Sequence, residues 1–292
     1  MHPVDLDASG ACNSPRMGYA VHQFYREKFI MTSIATTLGK TVLAAALAAA
    51  AAMSANASIV YQTGASNPWG TNNNDVAMDT AFGAGNWTKT NAFSLAGITG
   101  ASFAFLDGSD YNANEFNTFL TANLGALESY VSAGGHLFLN AAPNEGSNID
   151  FGFGGVTLTY GNTFSETATV NADGVAAGLT AGGLTTAYTG NYFSHATVSG
   201  GSITSLIDGE QGSVFAVKSF GLGFVAFGGQ TTTNWHQPSV DGNALLVNEL
   251  KYVANTQTAA VPEPETYALI IAGLGVVGAA LRRRKTEEAV AA

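Results

Sequence analysis

The chain has 292 residues, 46% of them hydrophobic and 11% charged, with a formal net charge of −10. Between Ser58 and Ala260, fourteen acidic residues face three lysines and no arginine, an excess of eleven negative charges that repels phosphate backbones and excludes nucleic acid as a partner. The single cysteine, Cys12, precedes the expected processing point, so the part that follows has no disulfide, thiolate nucleophile or cysteine metal site.

Residues 1–30 carry Pro3, Asp5, Asp7, Cys12 and Pro15 with little periodicity, and read as an unstructured upstream extension with Met31 as the true start. Residues 31–57 read as a signal peptide. Lys40 is followed by an apolar run to Met53, too short to span a membrane, and then by Ser54-Ala55-Asn56-Ala57. The small residues Ala55 and Ala57 form the A-x-A pattern that signal peptidase requires, which places cleavage between Ala57 and Ser58.

Residues 58–260 form the exported domain, long enough for one sizeable core. Ser58 to Gln62 opens it as a β-rich run, a short helix is expected around Asp75 to Phe82, and Trp87 to Phe93 suits another strand. Ser102 to Leu106 is a buried strand stopped by Asp107-Gly108. Asn112 with Glu115 three residues on predicts a capping box. Phe116, Phe119, Leu120, Leu124, Leu127 and Val131 then recur at helical spacing, until Gly134-Gly135 ends the helix. His136 to Asn140 is the next buried strand, which makes a parallel βαβ unit covered on both faces.

After Pro143 the pattern becomes antiparallel, with strands at Val156 to Tyr160, Ala168 to Val170 and Ser194 to Val198. Ser213 to Val217 and Gly223 to Phe227 flank a glycine turn as a hairpin. A final helix opens at Asp241 or Gly242 with Leu246, Leu250 and Val253 on one face. The expected fold is therefore α/β, a flavodoxin-like (Rossmann-like) three-layer domain with an inserted antiparallel β portion.

Residues 261–288 read as a sorting tail. Val261-Pro262-Glu263-Pro264-Glu265-Thr266 interrupts regular structure. Tyr267 to Leu281 is an uncharged apolar run, closed by Arg282-Arg283-Arg284-Lys285. As a transmembrane helix over 267–281 it covers roughly 22 Å of a ~30 Å hydrocarbon core, with Tyr267 and the basic cluster making up the difference. The basic cluster stays cytoplasmic, so everything before Val261 lies outside, in agreement with the signal peptide.

The order Pro-Glu-Pro, short apolar helix, arginine cluster resembles the PEP-CTERM sorting signal, with Pro262, Glu263 and Pro264 matching its signature and Arg282, Arg283 and Arg284 its basic end. The resemblance implies a substrate of an exosortase-like membrane processing enzyme in a Gram-negative, exopolysaccharide-producing bacterium. Such a protein is held transiently at the inner membrane through its C-terminal helix and then reaches the cell surface or extracellular matrix. Within the domain, Phe227-Gly228-Gly229-Gln230 through His236 to the closing helix is similar in layout to the class I glutamine amidotransferase-like group. That chemistry needs a cysteine after a strand. The position after 137–140 holds Ala141 and Ala142, so amidotransferase activity is not carried over.

Ligands of open α/β sheets bind outside the carboxyl ends of the strands. The polar and aromatic groups expected there are Asp107 and Asp110 after one strand, Asn140, Asn144 and Glu145 after the next, and Trp235 and His236 after a later one. Carboxylates and amides beside an aromatic platform suit sugar hydroxyls. Asp107, Asp110, Asn112 and Asn114 bring oxygens together without the EF-hand pattern, so no metal and no cofactor are expected. His136 reads as structural, and His195 as either structural or functional. Ser147, His236 and Asp241 lack the G-x-S-x-G elbow of a hydrolase, and no catalytic residue is assigned. The function expected is a non-enzymatic surface or matrix protein associated with exopolysaccharide. The alternatives are a divergent extracellular hydrolase acting on polysaccharide or another polymer, and self-assembly through exposed strand edges.

Overall fold

The computed structural model describes residues 58–190 and 192–257. The upstream extension, the signal with Ala55 and Ala57, and the tail with Pro262 to Pro264, the apolar run and Arg282 to Arg284 lie outside the described residues. Among the described residues no helix is long and apolar enough to cross a membrane.

Runs of apolar residues too long for a one-sided strand lie side by side at the centre of one sheet. They are β1 (Ser58–Thr63), β3 (Ala101–Asp107), β4 (His136–Asn140) and β12 (Gly223–Gly228), with short β2 (Thr88–Thr90) at the edge. All five are parallel in the order β2-β1-β3-β4-β12. Register pairs Phe105 with Phe138 and ends with Asp107 opposite Asn140 and Asn140 opposite Gly228.

Successive side chains of a strand point to opposite faces, so each central strand feeds two cores. One face, with Tyr61, Phe103, Phe105, Phe138 and Ala226, is covered by α1 (Asn73–Phe82) and α5 (Ser239–Asn255). The other, with Ala104, Leu106, Leu137, Leu139, Val225 and Phe227, is covered by α2 (Leu95–Ile98) and α3 (Ala113–Ser132). On α3 the predicted apolar stripe is the buried one: Phe116, Leu120, Leu127 and Val131 are fully buried, with Phe119 and Leu124 packed beside them. Each such large side chain contributes about 1.5–3 kcal/mol by leaving water.

Beyond β12 the sheet turns antiparallel through β11 (Gly212–Phe220), β10 (Thr204–Gly209), β7 (Ala168–Val170) and β8 (Ala187–Tyr188), with the short α4 (Ala172–Ala176) following β7. A side branch of β5 (Ile149–Gly152), β6 (Val156–Ser165) and β9 (Ser194–Gly200) joins β11 through one pair, Ser213 with Val198, and curls over the sheet. The architecture is mixed α/β with a curled sheet.

Three local expectations need correction. The capping box does not form: Asn112 precedes α3 but makes no side-chain cap bond, because its amide donates instead to the carbonyls of Ser66 and Ser109. The last helix begins at Ser239, just after Pro238, whose fixed φ suits a helix entry. The strand expected over Trp87 to Phe93 shrinks to three residues, since Ser94 and Leu95 already lead into α2.

An aromatic cleft above a buried polar network

The parallel strands end in a buried polar network. The Asp107 carboxylate, at the end of β3, accepts hydrogen bonds from Asn74 Nδ2 (2.6 Å), Ser109 Oγ (2.5 Å) and Asn140 Nδ2 (3.1 Å). Asn140, at the end of β4, also donates to the Gln230 carbonyl, while its own Oδ1 accepts from the Gln230 N–H at 3.1 Å. Gln230 Nε2 in turn donates to Glu249 Oε1 of α5 at 3.1 Å.

Burial raises the Asp107 carboxyl above its usual range against the pull of those hydrogen bonds. It raises Glu249 further, to about 8. These groups surround a chamber of about 10 Å³, the space of a single water.

His236 borders the same chamber, with its ring stacked on Phe193 at 3.9 Å and 17°. Its Nε2 lies 3.1 Å from the Phe193 carbonyl, which only accepts, so that nitrogen carries the proton, and the buried Nδ1 has no partner among the described residues. Burial lowers His236 to about 3, which keeps it neutral.

Above this floor opens a cleft of about 420 Å³, within the usual size range of small-molecule sites. Its rings come from four separate segments. Trp69 stands on the one-turn 3₁₀ helix Pro68–Gly70 that follows β1, and Trp235 on another, Thr233–Trp235, that follows β12. Tyr160 and Phe164 belong to β6; Tyr192 and His195 flank the start of β9. His195 is held between two edges, with Trp69 at 5.7 Å and 87° and Tyr192 at 5.4 Å and 89°. Phe164, Tyr192 and Trp235 are 42%, 45% and 38% exposed, large apolar surface that a protein normally hides.

Asp110 organises one wall. Its Oδ2 accepts the Trp69 backbone N–H at 2.9 Å and its Oδ1 accepts Asn144 Nδ2 at 2.7 Å. Its backbone adds bonds to Ala142 and to the Asn144 N–H. Five described non-glycine residues have positive φ, and three of them belong to this cleft: Trp69 (50°), Asp110 (58°) and Tyr192 (66°). Each such conformation costs on the order of 1–3 kcal/mol and persists only where the surroundings impose it.

The expected ligand residues therefore separate. Asn144 and Trp235 line the cleft, and Asp110 lies just behind it. Asp107, Asn140 and His236 are buried beneath, turned toward one another, because the strand ends converge there and α5 closes over them. Glu145 points elsewhere: its carboxylate accepts the Asn114 N–H in the first turn of α3, where a negative charge suits the helix end.

Sequence reasoning missed Trp69, Tyr160, Phe164 and Tyr192 and left His195 undecided. The one local signal was Asn67-Pro68-Trp69-Gly70, a turn sequence that carries a large ring. Among the described residues that line the cleft, none is a carboxylate, lysine or arginine. Among the described residues no cluster of three or more His, Cys, Asp or Glu is placed to hold a metal ion.

Residues 260–285 match the PEP-CTERM protein-sorting motif. That match supports an exported protein, transiently anchored in the membrane and sorted by an exosortase. No curated protein matches the chain.

Among solved structures, a ThuA-like protein from Parabacteroides merdae ATCC 43184 is similar over 70% of this chain and 93% of its own, at 13% identity and a TM-score of 0.41. The cold-adapted β-galactosidase from Rahnella sp. R3 is similar over 66% of this chain at 11% identity and a TM-score of 0.38. The exo-β-1,4-mannosidase Op5Man5 from Opitutaceae bacterium strain TAV5 is similar over 68% at the same identity and score. The chain spans only 31% and 36% of the length of those two glycosidases. At TM-scores below 0.5 none of these likenesses bears on the site, and the resemblance to the class I glutamine amidotransferase-like group gains no support from them.

Proposed function

We propose that this protein is a surface or matrix component, released from its signal peptide by signal peptidase and sorted through its tail, that holds exopolysaccharide in the aromatic cleft without acting on it. The domain is read as flavodoxin-like, with the ligand above the carboxyl ends of the parallel strands, where that topology leaves a crevice. The observation that carries the reading is the convergence of Trp69, Trp235, Tyr192 and Phe164 on one opening, with three backbones at the cleft held in left-handed conformations. Ring faces pack against the apolar faces of sugars, while the indole and phenol groups and the Asn144 amide meet their hydroxyls.

The hydrolase reading has no comparable support. A hydrolase needs two titratable groups within ~3 Å reach of one reacting atom. The raised carboxyls Asp107 and Glu249 face a one-water chamber under the cleft, not the cleft itself.

The test is a binding screen of the full chain in detergent against immobilised bacterial polysaccharides, with Trp69→Ala and Trp235→Ala alongside. Each variant is expected to bind about ten-fold more weakly, the scale of one well-packed aromatic contact. Wild-type protein that retains no polysaccharide, or variants that bind as wild type does, would overturn the reading.

A further inference from the structure

We infer that the cleft selects uncharged glycans, and that His195 is its specificity-determining residue, reading a ligand hydroxyl through an unprotonated Nε2. The inference rests on the glycan-binding reading and adds the chemical class of the glycan.

His195 Nδ1 lies 3.1 Å from the Pro143 carbonyl oxygen, which only accepts, so Nδ1 carries the ring proton. Nε2 is then a bare acceptor, and it makes no hydrogen bond among the described residues, although its ring lines the cleft. The near-perpendicular edges of Trp69 and Tyr192 clamp that ring, so the lone pair has a fixed direction. A sugar hydroxyl donates to such an atom; a carboxylate or sulfate oxygen is repelled by it.

The other groups agree. The indole N–H groups of Trp69 and Trp235 have no hydrogen-bond partner among the described residues and offer donors without formal charge. The Asp110 carboxylate behind the wall has both oxygens engaged, by Trp69 and Asn144. Among the described residues no lysine or arginine lines the cleft to neutralise an acidic chain, and the domain carries eleven excess negative charges that oppose its approach.

The titratable groups facing His195 are Tyr192 beside it, Tyr160 from β6 and Asp110 behind. Burial keeps His195 below its ordinary value of 6.5, opposed by the Pro143 carbonyl and Asp110, so the acceptor is present at neutral pH. Acidification places a proton on Nε2 and removes it.

The experiment uses the full chain in detergent, titrated at pH 7 and at pH 5. Dextran and galactomannan are the uncharged probes, and alginate and polygalacturonate the acidic ones. An uncharged polymer is expected to bind at least ten-fold more tightly than either acidic one. That binding is expected to weaken at pH 5 to the extent that Nε2 takes up a proton, by up to about five-fold, the worth of one lost hydrogen bond. His195→Phe keeps a flat ring without the acceptor and is expected to show the weaker affinity at both pH values; His195→Gln, which restores an acceptor oxygen, recovers part of it.

Acidic polymers binding as tightly as uncharged ones, or His195→Phe binding uncharged polymer as tightly as wild type does, would overturn the inference while leaving glycan binding in place. No binding of any of the four polymers would remove both. The wild-type comparisons decide the matter even where a variant fails to fold.

Discussion

Gly190 faces the carbonyl of Trp235 with so little room that a β-carbon in place of its hydrogen would clash with that oxygen. Its φ of 141° is one that residues with side chains rarely adopt. The lip of the cleft that carries Trp235 is therefore seated directly on this glycine. Gly190→Ala is expected to destabilise the domain by about 2 kcal/mol or more and to weaken polysaccharide binding as Trp235 shifts. Urea unfolding and a binding titration on the same preparation check both effects.

Asp110→Asn replaces one of two acceptor oxygens by a donor. Asparagine tolerates the left-handed backbone at this position, so the loss falls on the hydrogen bonds to Trp69 and Asn144. The expected outcome is about 1–2 kcal/mol of stability and a several-fold loss of affinity. A variant with lower stability and unchanged affinity would remove Asp110 from its positioning role.

Stability should depend on pH in two directions. Glu249 is raised from 4.5 to about 8, so the folded form keeps a proton that the unfolded chain gives up above 4.5, and stability falls as pH rises through that window. His236 is lowered from 6.5 to about 3, so the unfolded chain takes up a proton below 6.5 that the folded form refuses, and stability falls as pH drops. Where the two windows overlap, from 4.5 to 6.5, the slopes cancel. Unfolding free energy should then plateau over that interval and decline on either side, by about 2 kcal/mol between 6.5 and 8, and melting temperature follows it. Asp107, also raised by burial, adds a fall in stability as pH rises above 3.8, which tilts that plateau downward toward higher pH. Glu249→Gln keeps an oxygen for Gln230 and should flatten the alkaline limb; a melting curve unchanged by that substitution would contradict the assignment.

Asp107→Ala removes the acceptor that Asn74, Asn140 and the Ser109 hydroxyl share in a buried place and leaves a void beside them. A loss of about 3 kcal/mol or more is expected in denaturant unfolding. Asp107→Asn, close in shape, should lose less. Because Asp107 lies under the cleft, the Asn variant is expected to bind polysaccharide as wild type does.

Much of the parallel half was legible because its signals are local. Phe103 to Leu106 and Leu137 to Leu139 are uninterrupted apolar runs, and the stripe from Phe116 to Val131 fixes the helix between them. The same locality misled the reading of the site. Asp107, Asn140 and His236 follow strands, as ligand residues do, yet the depth at which each strand ends is set by its neighbours and by α5. The cleft itself depends on β6 pairing with β9, which brings Tyr160 opposite Ala196. It depends equally on Asp110 reaching back to Trp69 across 41 positions of sequence. Neither pairing leaves a period or a motif in the chain.

The ring nitrogen Nδ1 of His136, at the start of β4, lies 2.6 Å from the carbonyl of Val253, in the last turn of α5. The exit of the domain is thereby pinned at the end of the sheet where the parallel strands begin, the same end at which Ser58 enters. Trp235 sits just ahead of the opposite end of that helix, whose seventeen residues run about 25 Å. The last helix therefore ends on the side of the sheet away from the cleft.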